Sequence, residues 1–169
     1  MKPILAGSLC LWMVMGCANL TLEEAKTAVE EIQLVSQTAA LTSNSIEIGT
    51  QFTIQDGLEQ AAQQIRDFVA TQLPCAEVTL EAATLTIAYG AKAGNCSYHG
   101  QTFSGTHAIQ VVRNGNQQVE VSHTWTDFSN GLLEVDGSAT VTWDFGAKSR
   151  HVVHQASWTR LADGRSCHE

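Results

Sequence analysis

Residues 117–126 read QQVEVSHTWT and residues 132–145 read LLEVDGSATVTWDF, and these two stretches predict the main elements of the fold. In both, apolar and polar side chains alternate with a period of two, which predicts strands with one buried face and one solvated face. The same pattern occurs at residues 102–113, at 150–161 and, in shorter pieces, at 78–80 and 85–89. Turn residues separate these stretches, so we expect an antiparallel meander.

Loop lengths predict which residues face each other across the three long hairpins. We take residues 114–116 and 129–131 as three-residue loops and residues 146–149 as a four-residue loop. For the three hairpins in turn, the predicted opposing pairs are His107 with His123, Trp125 with Val135, and Trp143 with Val152. The apolar residues then share one core face, and acids, serines and threonines share the other face.

A helical pattern precedes the strands. Between Thr21 and Ala40, apolar residues recur at spacings of three and four, which predicts an amphipathic helix with its glutamates toward solvent. The members of this apolar stripe are Leu22, Ala25, Val29, Ile32, Val35 and Ala39. Ser43 to Ser45 breaks the pattern, so we expect short extended pieces from residue 46 to residue 54.

A second helix is predicted to begin at Asp56. Asp56 and Glu59 are close to a capping box, in which each side chain satisfies a free backbone N–H group at the start of the helix. Pro74 ends the helix, because proline disfavours helical geometry in the residue before it. The apolar stripe of this helix carries no charge, and we expect it to cover part of the core face of the sheet.

Length and composition limit the architecture. The 169 residues are 44% hydrophobic and 15% charged, which suits one compact domain rather than a disordered chain or a multi-span membrane protein. We therefore expect an α+β fold, in which one or two N-terminal helices pack on a four- to six-stranded antiparallel meander. A net charge of -8, with nine basic residues scattered singly, argues against a nucleic-acid partner.

The N-terminus reads as a targeting segment. Lys2 gives a positive start, residues 4–15 are mostly apolar, and Val14-Met15-Gly16-Cys17 places a small residue before a cysteine. This segment resembles a bacterial lipoprotein signal peptide with its lipobox. The resemblance implies cleavage immediately before Cys17, a diacylglycerol on its thiol, and acylation of its freed amine by a fatty acid such as palmitate. An ordinary secretory signal followed by a coincidental cysteine is the alternative.

The resemblance also implies a location. Ala18 stands where an aspartate would favour the inner membrane, which points to the outer membrane, with the domain facing the periplasm or the cell surface. The chain then divides into a signal peptide at 1–16, an N-terminal helix and extended segment at 17–55, and a helix and antiparallel sheet at 56–169. We expect residues 17–169 to form one folded unit.

Three cysteines remain for the folded domain. Cys10 lies in the signal peptide and Cys17 is the expected lipid attachment residue, which leaves Cys75, Cys96 and Cys167. We favour a disulfide between Cys75 and Cys96, because it joins the end of the second helix to a loop and fits an oxidising compartment. Cys167 is left over, and the sequence leaves open whether it bridges to another chain.

Histidines on the core face are the candidate metal ligands. In the predicted register His107 and His123 lie side by side, and His154 lies on the same face two rows away. Two imidazoles on adjacent strands are suitable ligands for a transition metal. No carboxylate falls on this face, so we favour hydrogen-bonded core histidines over a metal site and expect no cofactor.

We find no catalytic motif in the sequence and do not expect an enzyme. The favoured function is a structural or interaction module of the cell envelope, attached to the membrane through the lipid on Cys17. One alternative is a carrier of a lipid or other apolar ligand on a sheet face lined by Trp125, Trp143 and Trp158. The other alternative is a metal-binding protein that uses the core histidines.

Overall fold

Helices and strands are segregated along the chain. The computed structural model describes residues 21–52, 57–116, 118–144 and 146–168. Two helices come first, α1 (Leu22–Ile48) and α2 (Leu58–Gln72). The strands follow as β1 (Glu77–Glu81), β2 (Thr84–Tyr89), β3 (Ser97–Tyr98), β4 (Gln101–Thr102), β5 (Ser104–Arg113), β6 (Val119–Ser129), β7 (Leu133–Asp144), β8 (Ser149–Arg160) and β9 (Ser166–His168). The fold is α+β, as the sequence predicts.

The main sheet has more strands than predicted. Its order among the described residues is β1-β2-β5-β6-β7-β8-β9, and every neighbouring pair is antiparallel. Strands β3 and β4 form a separate two-stranded sheet. The strand beyond the expected six is β9, which pairs with the end of β8. Its three side chains are exposed, so it has no alternation between a buried and a solvated face, and sequence pattern did not reveal it.

The side chains of the predicted stretches lie on the predicted faces, but the register of all three long hairpins differs from the prediction. The difference is two residues, except at the loop end of the second hairpin, where a bulge between Trp125 and Phe128 makes it three. The observed opposing pairs are His107 with Trp125, Trp125 with Gly137, and Trp143 with Arg150. The predicted pairs are therefore wrong. Because the side-chain period of a strand is two, an even shift keeps every side chain on its face.

Side chains in the loops explain the shift in the first and third hairpins. In the first hairpin, Oδ1 of Asn114 accepts hydrogen bonds from the backbone N–H groups of Asn116 at 3.0 Å and Gln118 at 3.1 Å. These bonds stabilise a loop two residues longer than expected. In the third hairpin the loop begins one residue earlier, and Oδ1 of Asp144 accepts the N–H of Ala147 at 2.8 Å. The alternating pattern carries no information about such bonds.

Helix α2 covers the core face, which confirms the prediction for its stripe. Ala62, Ile65 and Val69, with Leu73 just beyond the helix, are fully buried in the common hydrophobic core. The predicted cap at Asp56 lies outside the described residues. The N-cap residue in the structure is Gly57, which provides no side-chain hydrogen bond to the helix.

Helix α1 is longer than predicted. It continues for 27 residues to Ile48, through the serines that were expected to end it. The hydroxyl groups of Thr38, Thr42 and Ser45 donate hydrogen bonds to carbonyl oxygens one turn earlier, so they are satisfied within the helix. The predicted extended pieces at residues 46–48 are therefore wrong. Of the second predicted piece, Phe52 lies in a bend after the helix and residue 54 lies outside the described residues.

The N-terminal part of the predicted apolar stripe of α1 faces away from the sheet, whereas its last two members, Val35 and Ala39, line clefts beside the strands. The residues that pack against the core are Leu34, Thr38, Leu41, Ser45 and Ile48. In contrast, Leu22 is 72% exposed, Val29 54% and Ile32 69%. A spacing of three and four identifies a stripe but not the surface that it contacts. We call the surface formed by Leu22, Ala25, Val29 and Ile32 the outer face of α1.

Candidate functional site

Tyr89, His107 and His123 form a buried hydrogen-bonded row on the core face. The hydroxyl of Tyr89 lies 3.4 Å from Nδ1 of His107. Nε2 of His107 lies 3.0 Å from Nδ1 of His123, and both imidazoles are fully buried. The two histidines occupy diagonal rather than opposing positions on β5 and β6. The sheet therefore brings them into contact despite the shifted register.

Burial keeps both histidines neutral. Desolvation, followed by the charge of Arg150, lowers the pKa of His123 from 6.5 to about 3. Desolvation and the neighbouring His123 lower the pKa of His107 well below its usual value. Burial also raises the pKa of Tyr89 above its usual value, so its hydroxyl stays protonated. The row is an uncharged network at neutral pH.

Proton counting shows that one nitrogen of this network lacks a partner. If Tyr89 donates to His107, then Nε2–H of His107 donates to His123, and Nε2–H of His123 requires an acceptor. If instead His123 donates to His107 and His107 donates to Tyr89, then Nε2 of His123 carries a lone pair that requires a donor. Within the described residues, no hydrogen-bond partner for this atom is found. A fully buried imidazole nitrogen without a partner is unusual in a folded protein.

Helix α1 and its following turn close over the row. Gly49 packs against His123, and an added Cβ there would press on the imidazole and lie 3.1 Å from Cδ1 of Ile109. Ser45 accepts a hydrogen bond from Nε1 of Trp125 at 2.9 Å. The indole of Trp125 in turn stacks on His107, with ring centroids 6.0 Å apart. The C-terminal part of α1 thus fixes the position of the histidines.

His154 is not part of the row. It lies opposite Ala139 on β7, its side chain is exposed, and it lines a cleft of about 590 Å³ between α1 and β8 with Arg150 and Glu47. Among the described residues, the group of ligand atoms close enough to hold a metal ion is Asp127, Glu134 and Asp136. This group lies on the polar side of the sheet and contains no histidine.

The three tryptophans occupy different environments. Trp125 is 2% exposed and Trp158 9%, so both are core residues. Trp143 is half-buried; it makes an edge contact with Phe52 at 5.7 Å between ring centroids, and the guanidinium of Arg150 lies 5.8 Å above its ring. The helices cover the first two, so the three rings do not form a common exposed surface.

The cysteines of the folded domain pair as predicted. Cys75 and Cys96 form a disulfide that joins the segment after α2 to the loop before β3. Cys167 is a free, exposed thiol on the edge strand β9. Cys17 lies outside the described residues.

The exposure of the outer face of α1 is the feature that sequence reasoning missed. Its residues were predicted as core because their spacing is that of a buried stripe. The signal that could have revealed it is a second set of apolar residues, Leu34, Leu41 and Ile48, spaced by seven on the opposite side of the same helix. Within the described residues, one of the two apolar stripes is buried against the sheet and the other is exposed.

Comparisons with known proteins add no further information. No family model, curated protein or solved structure matches the chain. Neither α1 nor α2 is long and apolar enough to cross a membrane, and the described residues contain no other helix that is.

Proposed function

We propose that the protein is a lipid-anchored lipoprotein of the bacterial outer membrane and that its domain is a non-catalytic interaction module. The partner docks on the outer face of α1. The observation that carries this proposal is the exposure of large apolar side chains, with Leu22 72% and Ile32 69% exposed on one side of a helix. Burying such a side chain contributes about 1.5–3 kcal/mol, and clustered apolar exposure marks interaction surfaces.

The sequence before α1 supports the anchor. Val14-Met15-Gly16-Cys17 resembles a lipobox, and Cys17 precedes the first residue of α1 by five residues. The disulfide between Cys75 and Cys96 fits an oxidising compartment such as the envelope. A helix that begins this close to a lipidated residue would present its outer face next to the membrane surface, where other envelope proteins are accessible.

Metabolic labelling tests the anchor. Cells of a Gram-negative host that express the full chain are grown with a clickable palmitate analogue, and their membranes are separated by density. We expect label on the wild-type protein in the outer-membrane fraction and none on the Cys17→Ser variant. Equal labelling of both chains, or wild-type protein found only in the soluble fraction, contradicts the lipoprotein assignment.

Photo-cross-linking tests the docking surface. A photoreactive amino acid replaces Ile32 on the outer face of α1, and the matched control replaces Ser138, an exposed residue on the polar face of β7. We expect discrete cross-linked protein bands from position 32 and none from position 138. Equal patterns from both positions would show that the outer face has no special role.

A second candidate function is metal binding, which one observation favours. Nε2 of His123 has no partner among the described residues, and neutral imidazole nitrogen is a good ligand for Zn²⁺ or Ni²⁺. Calorimetric titration of the chelator-treated protein with each ion tests it. Binding of one ion per chain that is lost in His123→Gln supports a site, and equal heats for both proteins reject it.

A further inference from the structure

Helix α1 presents two apolar faces on nearly opposite sides. Leu34 and Leu41 face the core and are 6% and 0% exposed, whereas Ile32 points outward. At about 100° per residue, Ile32 and Leu34 are about 200° apart around the helix axis. The outer face is thus directed away from the sheet, and a partner there would not collide with the body of the domain.

The outer face, continued toward the C-terminus by Ser36 and Ala39, has the spacing of a coiled-coil seam. Residues 22, 25, 29, 32, 36 and 39 alternate steps of three and four, and they are Leu, Ala, Val, Ile, Ser and Ala. Such a heptad pattern is typical of a helix that pairs with another helix. A helix that lies on a membrane surface is instead rich in basic and aromatic residues. Helix α1 contains one lysine, no arginine and no aromatic residue.

Charges on α1 allow two copies to approach. In this heptad, positions 26, 28, 33 and 35 flank the seam, and they are Lys, Ala, Gln and Val. Two parallel copies therefore bring no acidic side chains together across it. The described glutamates of the first turns lie elsewhere on the helix: Glu23 binds Lys26 at 3.0 Å, and Glu30 contacts Arg165 at 3.3 Å. These two glutamates therefore lie outside the seam.

We propose that two copies of this chain pair in parallel through the outer faces of their α1 helices, as a short two-stranded coiled coil. This inference rests on the proposed function, because the lipid on Cys17 supplies what a short seam lacks. A seam of fewer than three heptads is weak in solution. Two chains anchored five residues before Leu22 share one membrane surface, which sets the helices parallel and raises their effective concentration.

Disulfide cross-linking in intact membranes tests the pairing. The full chain carries Cys167→Ser, so that the exposed free thiol is removed. Single cysteines are placed in the seam by Val29→Cys or Ile32→Cys and, as the matched control, on the opposite side of the helix by Thr27→Cys. Each variant is co-expressed with two different epitope tags, and the membranes are treated with a mild oxidant.

We expect doubly tagged dimers from both seam positions and background levels from Thr27→Cys. Adding Ile32→Glu to the Val29→Cys chain should lower the dimer yield by about tenfold or more, because each tenfold change corresponds to about 1.4 kcal/mol and two apolar contacts are lost. Urea unfolding of the same chain should be unchanged, since Ile32 is 69% exposed. Unfolded protein would therefore not account for the loss.

The outcomes separate this inference from the proposed function. Cross-links to a protein of another mass, without doubly tagged dimers, overturn self-pairing and leave the docking surface in place. Labelling of residue 32 by a photoreactive phospholipid, again without dimers, overturns it in favour of contact with the membrane. Doubly tagged dimers from a chain that incorporates no palmitate support the pairing and contradict the anchor. Equal yields from the seam and control positions overturn the pairing outright.

Discussion

Acid should destabilise this fold through its buried histidines. The perturbation is His123→Gln, in which a neutral amide replaces the imidazole next to His107 and does not ionise. In the wild type, desolvation lowers the pKa of His123 to about 3 in the folded state, against 6.5 for a free side chain. The unfolded chain therefore binds more protons than the folded chain between these two values. Stability is highest above the unfolded pKa and falls as the pH drops toward the folded pKa.

The magnitude follows from this difference in pKa. One proton corresponds to about 1.4 kcal/mol per pH unit within the window. Lowering the pH from about 7 to about 4.5 should thus cost about 2–3 kcal/mol of unfolding free energy through His123 alone. His107 is buried as well and adds a loss of the same sign. Carboxylates titrate in both the wild type and the variant, so the difference between the two proteins isolates the imidazole.

Urea unfolding curves measured across this pH range provide the assay. The unfolding free energies of the wild type and of His123→Gln should converge as the pH falls, because only the wild type loses stability through this imidazole. The control is His151→Gln, because that histidine is exposed on β8, and its curve should run parallel to the wild type. Titration of the His123 ring by NMR gives an independent readout, with no protonation expected above about pH 5. Parallel curves for wild type and His123→Gln, or a ring that titrates near its ordinary pKa, would contradict this prediction.

Three further predictions concern stability and are checked by urea unfolding at neutral pH. The paired Cys75→Ser and Cys96→Ser substitutions should cost about 3 kcal/mol, because the disulfide closes a loop of 21 residues in sequence separation; no loss would contradict this. Ser45→Ala should cost about 1–3 kcal/mol, since a buried indole N–H loses its acceptor. Gly137→Ala should cost about 1–3 kcal/mol, because its added Cβ would overlap the backbone of β8 and the φ of Gly137 is 149°. The control, Gly115→Ala, should be nearly neutral, because no atom lies within 4 Å of its added Cβ.

Local patterns in the sequence were sufficient for several features of the fold. The alternation in residues 117–126 and 132–145 assigned side chains to the correct faces of the sheet, because strand geometry has a fixed period of two. The apolar stripe of α2 was correctly predicted to be buried, because this helix has a single apolar stripe and that stripe packs on the sheet. The contact between His107 and His123 was also anticipated, since an even shift of register leaves both on the core face.

Other features depended on contacts between distant parts of the chain. The extent of α1 could not be predicted, because it depends on the contacts of Ser45. The hydroxyl of Ser45 donates a hydrogen bond within the helix and accepts one from the indole of Trp125, which is distant in sequence. The hairpin registers depended on side-chain bonds inside the loops, such as those of Asn114. The unpartnered nitrogen of His123 becomes visible only when every neighbour of the ring is in place.

Sequence alone was enough to predict the α+β class and the faces of the long strands and to favour the pairing of Cys75 with Cys96, because these follow from local periodicity and the small number of available thiols. Tertiary structure decided which side of α1 is buried. Two apolar stripes run along that helix, and they are of similar character in sequence. The one containing Leu34 and Leu41 packs on the sheet, because its C-terminal half also carries the serine that bonds to the core. The other stripe is left exposed, since a helix presents only one side to a single sheet.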